Sequence, residues 1–356
     1  MTAHVFAYDT AEPGDTSDLH RILRGFAPGN IRRLSLLVKT EGNSDLNDHS
    51  RELGLLAARV MLKEYGGDEL LQRSSFLFST GCEGAMTPFG YLFLEVEEET
   101  PVTQDKALVF SVARSRPILP AEIGTPAHSD VVTETVRAAI GDAGVSVDDV
   151  ALVIVKTPIM SLIAAADAAV GSSPRVTSAF SKAVGALGAG VALGEVDRGK
   201  VVQKAFGEDL ALHARRAMVF SGSETDQVEV LLLANRPGAA GSLRVHTGYQ
   251  KDLLDAQGLR DCLRDAGVGL NEAGIVADGG KVVAAIIKAG ISPDASVRGG
   301  RTKMKTSHID MDLHIRATMS GIIGSILGHT RSFISANTVH QAPSGGGISA
   351  FIVRQA

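Results

Sequence analysis

Short apolar runs punctuate the chain, and three of them end on a lysine. Leu34 to Val38 runs into Lys39, Val150 to Val155 into Lys156, and Val282 to Ile287 into Lys288. After each lysine comes a stretch rich in Ala, Gly and Leu. A second apolar run then ends on a serine, and a last apolar run follows. The serine runs are Phe76 to Ser79, Met218 to Ser221 and Ser332 to Ser335. Bounded apolar runs of this kind read as buried strands, and the longer periodic stretches as helices. The predicted helices after the lysines are Ser50 to Tyr65, Ser181 to Val196 and about Leu313 to Leu327. The predicted last strands are Tyr91 to Val96, Val228 to Ala234 and Ile348 to Val353.

Two more helices are predicted ahead of the second and third lysine strands, over Ser129 to Ala143 and Lys251 to Ala266. Both close on Asp-Ala-Gly-Val, which sets a glycine just past the helix end, where a left-handed residue is favoured. The shared tetrapeptide and the shared order of elements argue for internal repetition. Boundaries fall at the acidic, Pro-containing stretch 97–105 and the Pro/Gly cluster 235–242, giving units of 1–103, 104–241 and 242–356. A period of roughly 120 residues is too long for a solenoid, whose repeats run about 20–50 residues. The expected class is α/β, with three homologous repeat units around a pseudo-threefold axis. That arrangement brings three lysines and three serines to one place.

A lysine ending a buried strand is costly unless its charge is used. Beside a serine it has a use, because burial lowers the amine pKa until the neutral form can take the hydroxyl proton. A cluster of lysines lowers it further by mutual repulsion. The candidate pairs are Lys39 with Ser79, Lys156 with Ser221, and Lys288 with Ser335. Each serine stands in a turn of small residues: Ser79-Thr80-Gly81, Ser221-Gly222-Ser223 and Ser335-Ala336-Asn337. The amides of such turns are expected to face a carbonyl oxygen, as an oxyanion site requires. A second basic residue follows on each helix: Arg51 behind its expected cap Asp48, then Lys182, then Arg316. The loop Arg298-Gly299-Gly300-Arg301 is also basic.

Composition narrows the classes. With 44% hydrophobic and 21% charged residues the chain has the balance of a folded globular protein. Aromatics are 4%, tryptophan is absent, and dispersed basic residues leave a net charge of −5, so no nucleic-acid partner is expected. No signal peptide and no membrane association is expected either. Cys82 and Cys262 are expected to be reduced thiols in a cytoplasmic protein. The ten histidines form no metal signature, and His340 alone falls in a candidate site loop. Ser344-Gly345-Gly346-Gly347 lacks the Gly-Lys-Ser/Thr ending of a phosphate loop, and no Gly-x-Ser-x-Gly elbow is present. No cofactor and no metal is expected.

Taken together, several motifs resemble the cyanuric acid hydrolase/barbiturase family, in order along the whole chain. They are Lys39-Thr40-Glu41-Gly42-Asn43 with Asn47-Asp48, Ser79-x-Gly-x-Glu-Gly, Ala186-Leu187-Gly188 ahead of Ala192-Leu193-Gly194-Glu195-Val196, Arg298-Gly299, and His340-Gln341-x-Pro343-x-Gly345-Gly346-Gly347. The resemblance implies three structural repeats forming a central β-barrel, and hydrolytic opening of a cyclic amide by Ser/Lys pairs. It also implies a homotetramer acting on a small planar cyclic amide. It places the nucleophile in the second repeat, as Ser221 activated by Lys156. Lys39, Ser79, Thr80, Arg51, Lys182, Gly222, Lys288, Arg316, Ser335 and Ala336 are then the substrate-binding residues. A planar ring with alternating C=O and N–H suits threefold-related donors.

Some positions depart from the family's pattern. Lys182 stands where the family carries an arginine, and so lacks the bidentate fork. Ser79-Thr80-Gly81-Cys82-Glu83-Gly84 replaces Ser-Gly-Gly-Thr-Glu-Gly, and Ser335-Ala336-Asn337 replaces Ser-Gly-Gly. Lys288-Ala289-Gly290 lacks the metal-binding glutamate that the family carries shortly after this lysine. The expectation is a ring-opening cyclic amide hydrolase whose substrate need be neither cyanuric nor barbituric acid. Two other classes stay open. One is a non-catalytic small-molecule binding protein on the same scaffold; the other is a Ser/Lys amidase of open-chain amides, which needs an open cleft.

Overall fold

Three stretches of the chain build the same order of elements. In the computed structural model, which describes residues 1–43, 48–99, 105–159 and 177–355, the first stretch holds β1 (Thr2–Asp9), α1 (Ser17–Leu23), β2 (Ile31–Thr40), α2 (Ser50–Gln72), β3 (Ser74–Thr80) and β4 (Phe89–Val96). The second holds β5 (Lys106–Pro117), α3 (Pro126–Ala143), β6 (Val150–Pro158), α4 (Ser178–Ala192), β7 (Ala217–Gly222) and β8 (Gln227–Pro237). The third holds β9 (Leu243–Gln250), α5 (Ala256–Asp265), β10 (Val282–Ala289), a short hairpin of β11 (Ser296–Val297) and β12 (Gly300–Arg301), α6 (Met311–Leu327), β13 (Phe333–Ala336) and β14 (Gly347–Arg354). Each stretch forms its own four-stranded sheet with the same spatial order: first strand, last, second, third.

The lysine strands β2, β6 and β10 lie inside their sheets, parallel to the serine strands β3, β7 and β13 and antiparallel to the last strands. Parallel neighbours need a crossover, and α2, α4 and α6 supply it. Such strands are buried on both faces, which is why their apolar runs are continuous rather than alternating.

One face of every sheet contributes to a shared core that contains Leu37, Phe93, Ile154, Phe220, Ile286 and Phe333. The other faces are covered by helices. Ala58 and Leu62 pack with Leu36 and Phe76 on the first sheet, Val132 and Ala186 with Val153 and Val219 on the second, and Leu259 and Ile323 with Ile287 and Ile334 on the third. Each such large side chain contributes on the order of 1.5–3 kcal/mol by leaving water. Among the described residues no strand of one sheet pairs with a strand of another, and the two isolated bridges join Thr2 to Ala240 and Leu270 to Val276. The sheets therefore meet through side chains, and no continuous hydrogen-bonded barrel closes. No described helix is long and apolar enough to cross a membrane.

Helix ends differ from expectation where local chemistry intervenes. Helix α2 runs on past Tyr65 to Gln72, across a break at Gly67 with φ +72°. Helix α4 begins at Ser178 because Thr177 accepts the Phe180 N–H at 3.2 Å, and the chain turns at Gly194 with φ +69°. Helix α5 begins at Ala256, after Asp255 accepts the Gly258 N–H at 3.0 Å, so Lys251 lies in a turn. Both Asp-Ala-Gly-Val glycines are left-handed, Gly144 at φ +60° and Gly267 at φ +77°. Asn47 lies outside the described residues.

Candidate active site

The three lysine strands converge, and their amines cross from sheet to sheet. Lys39, Lys156 and Lys288 are no more than 1% exposed. Lys156 Nζ donates to the Phe78 carbonyl of β3 at 2.8 Å, and Lys288 Nζ to the Val219 carbonyl of β7 at 2.7 Å. Lys39 Nζ donates to the Thr80 carbonyl at 2.7 Å and lies 5.6 Å from the Phe333 ring of β13. The second lysine thus reaches the first sheet, the third reaches the second, and the first reaches the third.

Burial lowers all three amines from the ordinary lysine range. Lys39 falls to about 7, with the Arg316 charge adding to burial. Lys156 falls to about 8; Glu224 opposes the effect of burial, while Arg51 reinforces it. Lys288 is pushed well down by burial and then by the Lys182 charge. Amines in this range can exchange a proton with a hydroxyl near neutral pH.

Strand register decides which serine each amine meets. Lys39 is paired with Ser79 and Lys288 with Ser335, but Lys156 is paired with Phe220, which leaves Ser221 beside Thr157. Accordingly Lys288 Nζ lies 2.8 Å from Ser335 Oγ and Lys39 Nζ 3.3 Å from Ser79 Oγ. Ser221 Oγ instead lies 2.8 Å from Ser178 Oγ and donates to the Ser178 carbonyl at 3.2 Å. Lys156 pairs with Glu224, whose side chain is 3% exposed. Gly222 leaves the room for this contact, since a Cβ there would lie 2.5 Å from Lys156 Nζ.

A second ring of charges surrounds the lysines at three corners, again from one sheet's helix to the next sheet. Arg51 of α2 reaches the Ser221 carbonyl at 3.4 Å and Glu224 at 3.5 Å. Lys182 of α4 reaches Asp312 of α6 at 3.3 Å. Arg316 of α6 donates to Glu83, beyond β3, at 2.8 Å. Burial opposes ionisation of Glu224, yet Lys156 and Arg51 hold its pKa below the ordinary value. Asp312 is held down in the same way, against burial, by Lys182, Arg316 and Lys288. Arg51 Nε faces Glu224 Oε2 at 3.5 Å and Lys156 Nζ meets the other carboxylate oxygen, so the three groups form one buried charge cluster.

Other expected residues are committed elsewhere. The Thr80 hydroxyl donates to Asp48 Oδ2 at 2.7 Å, and Asp48 Oδ1 accepts the Ser50 N–H at 3.0 Å, which ties the start of α2 to β3. The Gly81 amide, expected to be free for a carbonyl, donates to the Thr40 carbonyl at 3.0 Å. Ala336 is buried opposite Ala289 on β13. Arg298 stays on the exposed hairpin, bonded to Asp252 at 2.9 Å. His340 accepts the Gly207 N–H at 2.8 Å, and its other ring nitrogen bonds the Leu212 carbonyl at 2.6 Å; it clamps one loop to another.

Glu224, Asp312 and Ser178 were not legible as site residues. The one available signal was that Glu224 follows its serine by three positions and Glu83 by four. A metal ion does not fit beside the third lysine. Positions 289 and 290 carry no ligand side chain, a Cβ at Gly290 would collide with Thr338 Oγ1 and the Gly346 carbonyl, and those two already hydrogen-bond at 2.9 Å. Among the described residues no three His, Cys, Asp or Glu cluster as ligands.

Comparison with known proteins agrees with this architecture. A family model described as amidohydrolase ring-opening protein matches residues 4–354. A cyclic amide hydrolase of Azorhizobium caulinodans is 31% identical over 365 residues, covering 99% of this chain and 100% of the relative. A cyanuric acid amidohydrolase of Rhodococcus sp. is 34% identical over 350 residues, covering 96% and 93%. A solved cyanuric acid hydrolase superposes with a TM-score of 0.90 at 29% identity, covering 99% of both chains. Another, from A. caulinodans, gives 0.88 at 28% identity with the same coverage. The chain belongs to the family of ring-opening amidohydrolases.

Proposed function

We propose that this chain opens a small planar cyclic amide or imide by hydrolysis, within three α/β repeats (1–103, 104–241 and 242–356) set around a pseudo-threefold axis as a barrel-like core. The observation that carries the reading is the closed cycle of three buried lysines, each beside or one position from a serine and each reaching the next sheet. In this reading Ser221 Oγ attacks a ring carbonyl while the neutral Lys156 amine takes its proton. The ring C–N bond then breaks, the leaving nitrogen takes up that proton, and water hydrolyses the acyl-enzyme. Gly222 supports this assignment because it lets the amine approach the backbone next to Ser221. Arg51 and Glu224 then hold the ring from the first corner, and Lys39, Ser79, Lys288 and Ser335 polarise the other carbonyls. The reading includes a cytoplasmic homotetramer, in keeping with the free thiols of Cys82 and Cys262.

A second reading moves the nucleophile to Ser335. Its hydroxyl lies 2.8 Å from Lys288 Nζ, the shortest of the lysine–serine contacts, and that amine is pushed well down. Ring opening across a panel of cyclic imides and ureides, followed by loss of ring absorbance, tests the activity. Acid quench during turnover and peptide mass analysis then locate the acyl group. An adduct on Ser221, with turnover abolished in Ser221→Ala and Lys156→Ala, supports the first reading. Activity of Ser221→Ala within tenfold of wild type, with the adduct on Ser335, would establish the second. Silence across the panel would sink the hydrolase reading itself.

A further inference from the structure

The three corners of the site are not equivalent. At two of them a carboxylate from the loop after the serine meets a cation from a neighbouring helix. Glu224, three positions after Ser221, meets Arg51, and Glu83, four positions after Ser79, meets Arg316. The corresponding positions after Ser335 are Thr338 and Val339, and the carboxylate comes instead from Asp312 on α6. The loop that follows Ser335 passes through Asn337 at φ +72° and His340 at φ +58°, left-handed conformations that residues other than glycine seldom adopt.

Where the other corners are filled by glutamate side chains, a cavity of about 170 Å³ opens against Asp312. Leu210, Ile291, Met311, Ile315, Val339 and Ala342 form its apolar wall. Asp312, Asn337 and Thr338 line it as well and place it beside the site, none of whose three lysines and three serines lines it directly. Asp312 receives Lys182 at 3.3 Å, and Asn337-Thr338 follows directly on Ser335-Ala336. Several polar groups here are engaged: the Thr338 hydroxyl with Gly346, both His340 ring nitrogens with backbone, Asn337 Oδ1 with the Val339 N–H, and Asp312 with Lys182. What remains to a ligand is mostly apolar surface beside the Asn337 amide and the Ser344 hydroxyl, and a cavity of ~150 Å³ lined by aliphatic and aromatic side chains accommodates benzene.

We infer that the physiological ring carries an apolar arm of about benzene size, seated in this cavity while the ring lies among the lysines. The inference rests on the cyclic amide reading and narrows its substrate class. A symmetric, unsubstituted ring leaves the third corner empty, so the arm sets both specificity and the orientation in which a ring carbonyl faces the serines.

The test compares barbituric acid with 5-phenylbarbituric acid, which share a ring and differ only in the arm. Binding is measured by calorimetry on the wild-type protein and on Val339→Trp and Met311→Trp, whose half-buried side chains fill the cavity; thermal unfolding checks that both variants are folded. The phenyl derivative should bind at least about tenfold more tightly to the wild type, the scale of discrimination that an apolar pocket achieves. That advantage should vanish in a folded filling variant while binding of barbituric acid is unchanged. Equal affinities on the wild type, or an advantage that survives both fillings, overturns the inference. Turnover of unsubstituted rings with no preference for the arm would leave the hydrolase reading standing without it. A binding advantage without turnover of any ring would do the reverse.

Discussion

The carboxylate of Glu224 pairs with the amine of Lys156, and this contact separates the second lysine from the other two. Lys39 and Lys288 meet serine hydroxyls directly, whereas Lys156 sits one register step away from Ser221 and against a buried anion. Glu224 raises the amine pKa and the nearby Arg51 lowers it, so the two neighbours pull in opposite directions on one proton.

This opposition gives a direct test of Lys156 as the base. If Lys156 is the base, its neutral amine is the active form, and kcat/KM should rise with pH, with its acid limb centred at about 8. Glu224→Gln removes the stabilising anion, so the limb should move to lower pH, by about one in pH. Arg51→Gln removes a repelling cation, so the limb should move to higher pH. The check is the pH profile of kcat/KM for the three proteins. A limb that stays in place in both variants would locate the base elsewhere.

Gly222 should tolerate no side chain. Its missing Cβ is the space against which Lys156 Nζ and Glu224 pack. Gly222→Ala should therefore lower turnover by more than about tenfold and lower the unfolding temperature, as overpacking in a buried site does at about 1–3 kcal/mol. Gly141, exposed in α3 with open space around its Cβ position, is the control. Gly141→Ala should stabilise by up to about 1 kcal/mol, because alanine is the better helix former. Equal behaviour of the two variants in urea unfolding would contradict the packing argument.

Much of the fold was legible because burial on both faces leaves a plain trace. A strand such as β6 must be apolar almost throughout, and a lysine at its end, as at Lys156, stands out for that reason. The glycines of the two Asp-Ala-Gly-Val ends were legible for the same local reason, a left-handed cap. What escaped was set by contacts between sheets. The one-step register difference of Lys156 arises in pairing between distant strands, and nothing near Lys156 or Ser221 in sequence marks it. Asp312 pairs with Lys182 across 130 positions, and Ser178 meets Ser221 across 43. Such partners are fixed by packing rather than by spacing.

Stability should climb with pH over a wide range, for two linked reasons. His128 is buried between Gly124 and Thr157, and burial lowers its pKa to about 4, from 6.5. As pH falls below 6.5 the unfolded chain takes up a proton that the native state refuses, so stability drops between about pH 6.5 and 4. Lys39 and Lys156 are lowered to about 7 and about 8, against an ordinary value of 10.5. Between those values and 10.5 the unfolded chain again holds more protons, so stability rises from about pH 7 upward. Urea midpoints at pH 5, 7 and 9 should increase in that order, and Lys39→Met should flatten the step from 7 to 9. A wild-type midpoint unchanged from pH 7 to 9 would refute the buried-amine account.

Lys182 is the residue through which the third corner departs from the other two. Arg51 and Arg316 face their glutamates with planar guanidinium groups, while Lys182 offers Asp312 a single amine at 3.3 Å. An arginine at 182 would meet Asp312 with two parallel N–H bonds and present a further donor edge toward a bound ring. It would also bring the third corner closer to the geometry of the others, which favours a symmetric ring. Lys182→Arg should therefore lower KM for an unsubstituted cyclic imide by about tenfold, about 1.4 kcal/mol of binding, with kcat little changed. Lys182→Met removes the largest attraction that keeps the buried Asp312 ionised. That variant should raise KM and lower the unfolding temperature together. Steady-state kinetics on the two variants decide the matter: if Lys182→Arg leaves KM where it was, this side chain does not touch the ring.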